Sequence, residues 1–283
     1  MWKKILTMFL VLVMVLSFTA CGEAELPSAQ QMIDGVIESL DEIRTYNFDT
    51  GFSLEMAGEA EVVEMSIAID FSGAMDLEDK KMSADVTMSA LELWGEGETE
   101  IAFEEYIIDD MAYIMTERPG EGPMWQKDEF SETDWEEITE VLGFAERQVE
   151  LLQAADISVI GSEKIKGVDC YVLQLTPDLE QLWKTAMEEA DPLDMGVPAI
   201  AEEVLREAFA SFSVKQWVTK DTYFLTKSEI DISMEMTPEV MDALGGERIM
   251  ARMITTNIAV SFLFYDYNQP VSIVLPPEAE EAI

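Results

Sequence analysis

Three consecutive stretches of this chain alternate apolar and polar residues with a period of two, and this constrains the fold more than any other feature. In the first, Phe48, Thr50, Phe52, Leu54 and Met56 interleave with Asn47, Asp49, Gly51, Ser53 and Glu55. In the second, Met65, Ile67, Ile69 and Phe71 interleave with Glu64, Ser66, Ala68 and Asp70. The third sets Met82, Ala84, Val86 and Met88 against Lys81, Ser83, Asp85 and Thr87. Successive side chains of a strand point to opposite faces, so each stretch has one apolar and one polar side. Three in a row predict antiparallel strands with one face on a core and the other in water. Residues 100–108 and 111–117 read as a hairpin turning at Asp109-Asp110, followed by a Pro/Gly loop through Pro119 and Pro123 to Trp125. A second hairpin joins 157–163 to 168–175 through Lys166-Gly167. Strands return over 214–219, 223–236, 252–267 and 271–275, and an acidic tail occupies 278–283.

Between these stretches the apolar period changes to that of a helix. Over 31–44, Met32, Val36, Leu40 and Ile43 form one stripe with Ile33 and Ile37 beside it. Over 131–155, Ser131 reads as an N-cap with Asp134 three residues on, and Trp135, Ile138, Leu142, Ala145, Val149 and Leu152 continue a single stripe. Further helices are expected over 179–190 (Leu182 and Trp183 on its apolar side) and 198–212. Only these helices are available to cover the apolar face of a long sheet. The expected class is therefore α+β: a strongly curved antiparallel sheet, an open half-barrel, with helices packed on its concave face. No repeat or low-complexity linker divides the body, so 31–283 reads as one domain.

A curved sheet that is incompletely filled leaves an apolar cavity between sheet and helices. The candidate lining is Phe48, Phe52, Leu54, Met65, Ile67, Ile69, Phe71, Val86 and Met88 from the strands, with Trp135, Ile138, Leu142, Leu182 and Trp183 from the helices. These side chains pack on one another if the core is dry and on a hydrophobic ligand if it is not. The 19 methionines favour adaptable apolar contact, because an unbranched thioether fits varied shapes.

Charge and composition remove other functions. With 58 acidic against 17 basic residues the net charge is −41, which repels nucleic acid and anionic membrane surfaces alike. Yet 48% hydrophobic residues, including 13 Phe and 6 Trp, suffice for a packed core. The chain has no histidine, which removes imidazole metal sites, Ser-His and Cys-His pairs and the commonest general base. Glu104 and Glu105 are adjacent on a strand and point apart, so they form no carboxylate dyad. Residues 76–79 lack the spacing and glycine of a calcium loop, and there is no Gly-rich phosphate loop or Gly-x-Ser-x-Gly elbow. No enzyme and no cofactor is expected.

The N-terminus carries Lys3 and Lys4, an apolar run from 5 to 16, then Ser17-Phe18-Thr19-Ala20-Cys21. A cationic start, an apolar segment of about 7–15 residues and small residues at the end mark a secretory signal peptide over 1–20. The run is shorter than the roughly 20 residues of a spanning helix. The segment resembles a bacterial lipobox, with Phe18 where an aliphatic residue is usual. The resemblance implies cleavage before Cys21, a lipid on that cysteine and a tether over 21–30. Only Cys170 then remains, so no intrachain disulfide forms. It shares a strand face with Val168 and Val172, where a buried, inert thiol is expected.

Two further segments carry a wider resemblance. Val214-Lys215-Gln216-Trp217-Val218-Thr219-Lys220-Asp221, then Tyr223-Phe224-Leu225-Thr226-Lys227-Ser228-Glu229, resembles the strand-turn-strand of LolA-like and LppX-like lipoproteins. Phe264-Tyr265-Asp266-Tyr267-Asn268-Gln269-Pro270-Val271-Ser272-Ile273-Val274-Leu275-Pro276 is similar to the closing strand of the LppX-like branch, and the hairpin from Gly161 to Leu173 fits the same group. The resemblance implies an open half-barrel with helices plugging its mouth and an apolar cavity that carries acyl chains across the cell envelope. The expected protein is thus an extracytoplasmic lipoprotein, membrane-anchored through its N-terminal lipid, that binds a lipid or other apolar ligand for transport or presentation. The alternative is a cell-surface interaction or envelope-sensor protein, with a filled core and an acidic face for an envelope protein partner. No nucleic-acid partner fits either reading.

Overall fold

The computed structural model describes residues 26–58, 63–91, 98–117, 120, 122–141, 151–153, 155–178, 208–237 and 253–282. Within them the alternating stretches all join one sheet. Its strands are β1 (Thr45–Ala57), β2 (Val63–Asp76), β3 (Lys81–Leu91), β4 (Glu98–Ile108), β5 (Met111–Glu117), β6 (Met124–Glu129), β7 (Ala155–Ile165), β8 (Val168–Pro177), β9 (Phe209–Thr219), β10 (Leu225–Met236) and β11 (Ile254–Tyr265). The 11 strands run in the order β6-β5-β4-β3-β2-β1-β11-β10-β9-β8-β7, so two meanders meet where the last strand pairs with the first. Every pairing is antiparallel.

The register keeps the apolar positions in line. Ile101, Met88, Ile69, Phe52, Val260, Ile230, Val214, Leu175 and Ile157 follow one another across nine strands as a single row. The sheet also curls. Laid flat, β3 and β8 would lie about 29 Å apart, at ~4.8 Å per strand. Instead Ala84 of β3 and Leu173 of β8 belong to one buried cluster, which also holds Met32 and Val36. A right-handed twist accumulated over so many strands produces that curl, and the curl makes the apolar face concave.

Two helices close one end of that face. α1 (Ala29–Leu40) starts with a capping box: Ser28 Oγ accepts from Gln31 N (3.2 Å) and Gln31 Oε1 accepts from Ser28 N (2.8 Å). Met32 and Val36 are fully buried, in one cluster with Phe48, Leu173, Val214, Val218, Leu225 and Phe264. α2 (Glu132–Val141) is capped by Ser131 as expected, with Asp134 N donating to Ser131 Oγ and Asp134 Oδ2 accepting from Ser131 N. Its Trp135 seals Met75, Met82 and Ile107. Residues 151–153 are again helical, and Leu152 joins the main cluster.

Several sequence expectations need correction. The 31–44 helix stops at Leu40, because Arg44 N is taken by Asn268 Oδ1 (2.7 Å) as the chain turns into β1. Trp125 is not in a loop: it pairs with Met115 as part of β6. The 131–155 helix ends before Ala155, which opens β7. Phe209–Phe212 begin β9 rather than ending a helix, since Phe212 lies opposite Ile232 and Phe209 opposite Met234. Residues 271–275 form no strand. Their predecessor β11 is already paired on both sides, by β1 and β10, so no ladder is open for a returning segment. The chain instead runs extended to a 3₁₀ helix (Pro277–Glu281) that packs against β6 and buries Ala279, where only an acidic tail was expected. The 179–190 helix lies outside the described residues, as does 198–207 of the next.

The motifs of the resemblance act as joints. Asn268 N donates to Thr45 O, and Asn268 Nδ2 to Glu42 O, pinning the start of β1. The half-buried Tyr267 donates its hydroxyl to Leu225 O, and desolvation of that hydroxyl holds its pKa well above the ordinary phenol value. Trp217 donates Nε1–H to Glu163 (2.8 Å) and lies under the Lys227 ammonium, 4.6 Å from the ring centre.

Candidate functional site

The concave face is the candidate site, and the rows of the sheet grade along it. Near α1 and α2 the side chains are enclosed: Phe48 is 6% exposed, Met75 1% and Leu173 0%. Farther along the strands, Phe52, Leu54, Met65, Ile67, Ile69, Phe71, Val86 and Met88 are all half-buried on the same face. Between the two zones is an apolar cavity of about 110 Å³, lined by Tyr46, Phe48, Thr50, Phe71, Met75, Phe262 and Phe264. Its end wall is aromatic. The Tyr46 ring meets Phe264 edge-on at 5.7 Å and Phe48 at 6.3 Å, and its hydroxyl donates to Met75 Sδ (3.0 Å). Burial pushes the Tyr46 phenol up to about 12, so it stays neutral.

Two of the sequence-derived lining residues, Phe48 and Phe71, border this cavity directly. The seven other strand residues, all half-buried, extend the same surface beyond it. Trp135 and Ile138 pack with Met75, Met82 and Ile107 at the α2 end. Cys21, Leu142, Leu182 and Trp183 lie outside the described residues. Tyr46, Met75, Phe262 and Phe264 were missed, although their signal was present. Tyr46 and Met75 continue the period-two pattern outward, and Ile258, Val260, Phe262 and Phe264 alternate through β11 just as clearly.

Electrostatically the face is nearly blank. Concave positions on β1, β2, β3, β9, β10 and β11 carry no charged residue. On β4 an acid, Glu105, stands on this face opposite Ala84, and burial pushes its carboxyl up. Glu104 faces the other way, among Asp85, Tyr106 and Glu117; burial and then the Asp85 charge raise its carboxyl too. The two do not form a pair, as expected for neighbours on a strand. Two hydroxyls on the concave face, Ser228 Oγ and Thr256 Oγ1, are buried with no hydrogen-bond partner among the described residues.

The opposite face is polar. A groove of about 410 Å³ there is lined by Asp49, Asp70, Asp85, Ser72, Thr87, Ser261 and Lys227, over the small floor of Gly51. Lys166 from the β7–β8 turn reaches Asp49 Oδ2 (3.4 Å) and sits 3.2 Å over the Tyr265 ring. Cys170 is fully buried beside Val172 and Trp217, and burial pushes its thiol up, as an inert side chain requires. Among the described residues no cluster of three Cys, Asp or Glu side chains is placed to hold a metal ion.

Comparison with known proteins adds the following. No curated protein matches the chain. Among solved structures it is similar to the lipoprotein LppX of Mycobacterium tuberculosis, at 12% identity over 87% of this chain and 98% of that one, with a TM-score of 0.41. It is similar to LprF from Mycobacterium bovis at 15% identity, covering 89% of this chain and 98% of that one, with a TM-score of 0.44. A LolA-superfamily protein from Nitrosomonas europaea matches at 13% identity over 89% and 97%, with a TM-score of 0.23. These are the kinds of protein that the C-terminal motifs resemble. The model of the family described as "Family of unknown function (DUF6612)" matches residues 28–282, and the chain belongs to that family.

Proposed function

We propose that this protein is a non-enzymatic carrier that holds an apolar ligand, in the first instance the acyl chains of a lipid, against the concave face of its sheet. The observation that carries the reading is the half-buried apolar surface from Phe71 to Met65, continuous with the aromatic cavity at Tyr46 and Phe48. Large apolar side chains left partly uncovered are unfavourable in water and favour a bound chain, at about 25 cal/mol per Å² covered. The absence of charge on the central concave positions gives the buried part of the ligand its character. With no cation on the described concave positions of these strands to pair a carboxylate or phosphate, an ionised headgroup there would bear its full desolvation cost. The bound portion is uncharged, and any charged headgroup stays outside.

In this reading residues 1–20 are a lipoprotein signal peptide, Cys21 bears the lipid, 21–30 is the tether and 31–283 is the single carrier domain. The protein works outside the cytoplasm at a membrane surface, and its acidic body keeps it off anionic headgroups except through the anchor. The second reading, a scaffold that meets a protein partner through an acidic face, is favoured by the groove at Asp49, Asp70 and Asp85.

Native mass spectrometry with organic extraction, on a soluble form beginning at Gln30 and purified from a host membrane fraction, tests the two readings. A bound species of lipid mass that is lost on extraction is the expected result. A bare protein mass, with no uptake of fluorescent acyl lipids, overturns the carrier and leaves the partner-binding scaffold.

A further inference from the structure

The far end of the concave face, away from α1 and α2, is built largely of methionine. Met56 lies opposite Met65 across the β1–β2 ladder and opposite Thr256 across β1–β11; Thr256 in turn lies opposite Met234 on β10. Met236 stands one row farther out, opposite Ile254. All four methionines are half-buried, and next to them Met253 is 47% exposed. In the middle of this row Thr256 is only 5% exposed, yet its Oγ1 has no partner among the described residues. The enclosed aromatic end is Phe48, about 26 Å back along β1 at ~3.3 Å per residue.

The two ends therefore differ in kind. Rigid rings and full enclosure mark the Phe48 end. Flexible, half-buried thioethers mark the Met56 end, set around the enclosed Ile254 and Thr256, whose hydroxyl has no partner among the described residues. A ligand must cross the surface that can rearrange, and unbranched thioethers rearrange at least cost. We propose that the Met56–Met65–Met234–Met236 patch is the mouth through which the apolar ligand passes, and that its oxidation to sulfoxide shuts off uptake. This rests on the carrier reading above. The reaction is a two-electron oxygen transfer from a peroxide. A thioether sulfur attacks one peroxide oxygen, the O–O bond breaks as the S–O bond forms, and the other oxygen leaves as water after taking a proton. Sulfur is oxidised and peroxide reduced. Each sulfoxide places a strong dipole on a face whose β1, β2, β10 and β11 positions carry no charge and few polar partners. The patch would thus stop loading under oxidative conditions, and reduction of the sulfoxides would restore it.

The test uses the full chain in a mild non-ionic detergent, titrated with NBD-labelled diacylglycerol before and after hydrogen peroxide. Peptide mass spectrometry locates the sulfoxides, and a circular-dichroism melt checks that the oxidised protein is folded. Oxidation of the wild type is expected to raise the Kd at least tenfold, with recovery after treatment with the two methionine sulfoxide reductases. The M56L/M65L/M234L/M236L variant, apolar but not oxidisable at the patch, is expected to change less than twofold, although Met124 and Met253 still oxidise. Unchanged binding by wild type carrying sulfoxides at the four positions overturns the inference, and so does an equal loss in the variant. Should the variant not fold, failure of the reductases to restore wild-type binding overturns it as well. No uptake by the unoxidised protein overturns the carrier reading, and this inference with it.

Discussion

Truncating Phe52 and Leu173 separately distinguishes a ligand-bearing face from a dry core. Leu173 is 0% exposed, in the cluster formed with Met32, Val36 and Val218. Leu173→Ala removes an enclosed side chain and leaves a void, which costs about 3–4 kcal/mol. At roughly 2–4 °C per kcal/mol for a domain of this size, the melting temperature should fall by about 10 °C. Phe52 lies in the row between Ile69 and Val260 but is only half-buried. Phe52→Ala should cost about 1–2 kcal/mol, well under the ~3–5 of an enclosed phenylalanine. Its effect should appear in binding instead. A tenfold loss of affinity is about 1.4 kcal/mol, equivalent to about 56 Å² of apolar contact at ~25 cal/mol per Å², which is within what one phenyl ring offers a chain laid across it. Thermal melts of the two variants, alongside titration with a fluorescent acyl lipid, provide both numbers. If Phe52→Ala destabilises as much as Leu173→Ala and leaves lipid binding untouched, Phe52 is a packed core residue and the ligand surface is not where we place it.

Three further outcomes follow from particular contacts. Glu105→Gln should raise the melting temperature at pH 7, because burial raises the folded-state pKa of Glu105 and the ionised form therefore opposes folding. The sign requires the gain to grow as pH rises through the raised pKa and to vanish below the ordinary carboxylate range near ~4.3, so melts from pH 4 to 7 check it. Gly73→Ala should destabilise by about 1–3 kcal/mol in urea unfolding, since a Cβ there would sit 2.0 Å from Ser83 O and 2.8 Å from the Phe48 ring. In the soluble form beginning at Gln30, Ellman's reagent should label Cys170 only as fast as the protein opens, because the thiol is fully buried with its pKa pushed up; rapid labelling of the folded protein would contradict its placement beside Trp217.

The sheet was legible in the sequence because its two faces meet different solvents. Phe52, Leu54 and Met56 alternate with Ser53 and Glu55 only because one side is apolar and the other wet, and a period of two then sets both strand and register. The same reasoning failed where an element's fate depends on its neighbours. Residues 271–275 have good strand composition, but β11 is enclosed by β1 and β10, a fact of topology that no local pattern records. Phe209 and Phe212 fit a helical stripe equally well, and only their partners Met234 and Ile232 decide for the strand. β6 was hidden for a related reason. As an edge strand it keeps a hydrogen-bonding neighbour on one side and charges such as Lys127, Asp128 and Glu129 toward water, so its alternation is weak.

The candidate site shows the same division. Alternation identifies which residues share the concave face but not how deeply each is covered, because depth is set by what packs on top. Phe48 and Phe52 are indistinguishable in the pattern, yet α1 encloses the first and the second is left half open. Trp135 and Ile138 fit a lining helix by their spacing, and α2 packs them with Met75, Met82 and Ile107 at one end of the face. The motifs that suggested a carrier, around Trp217 and Asp266-Tyr267-Asn268, turn out to be joints that hold the strand ends in place. They mark the scaffold on which the apolar face is carried. The proposed ligand surface lies instead on the residues with the least distinctive signature, the half-buried aliphatic and methionine side chains between Phe71 and Met236.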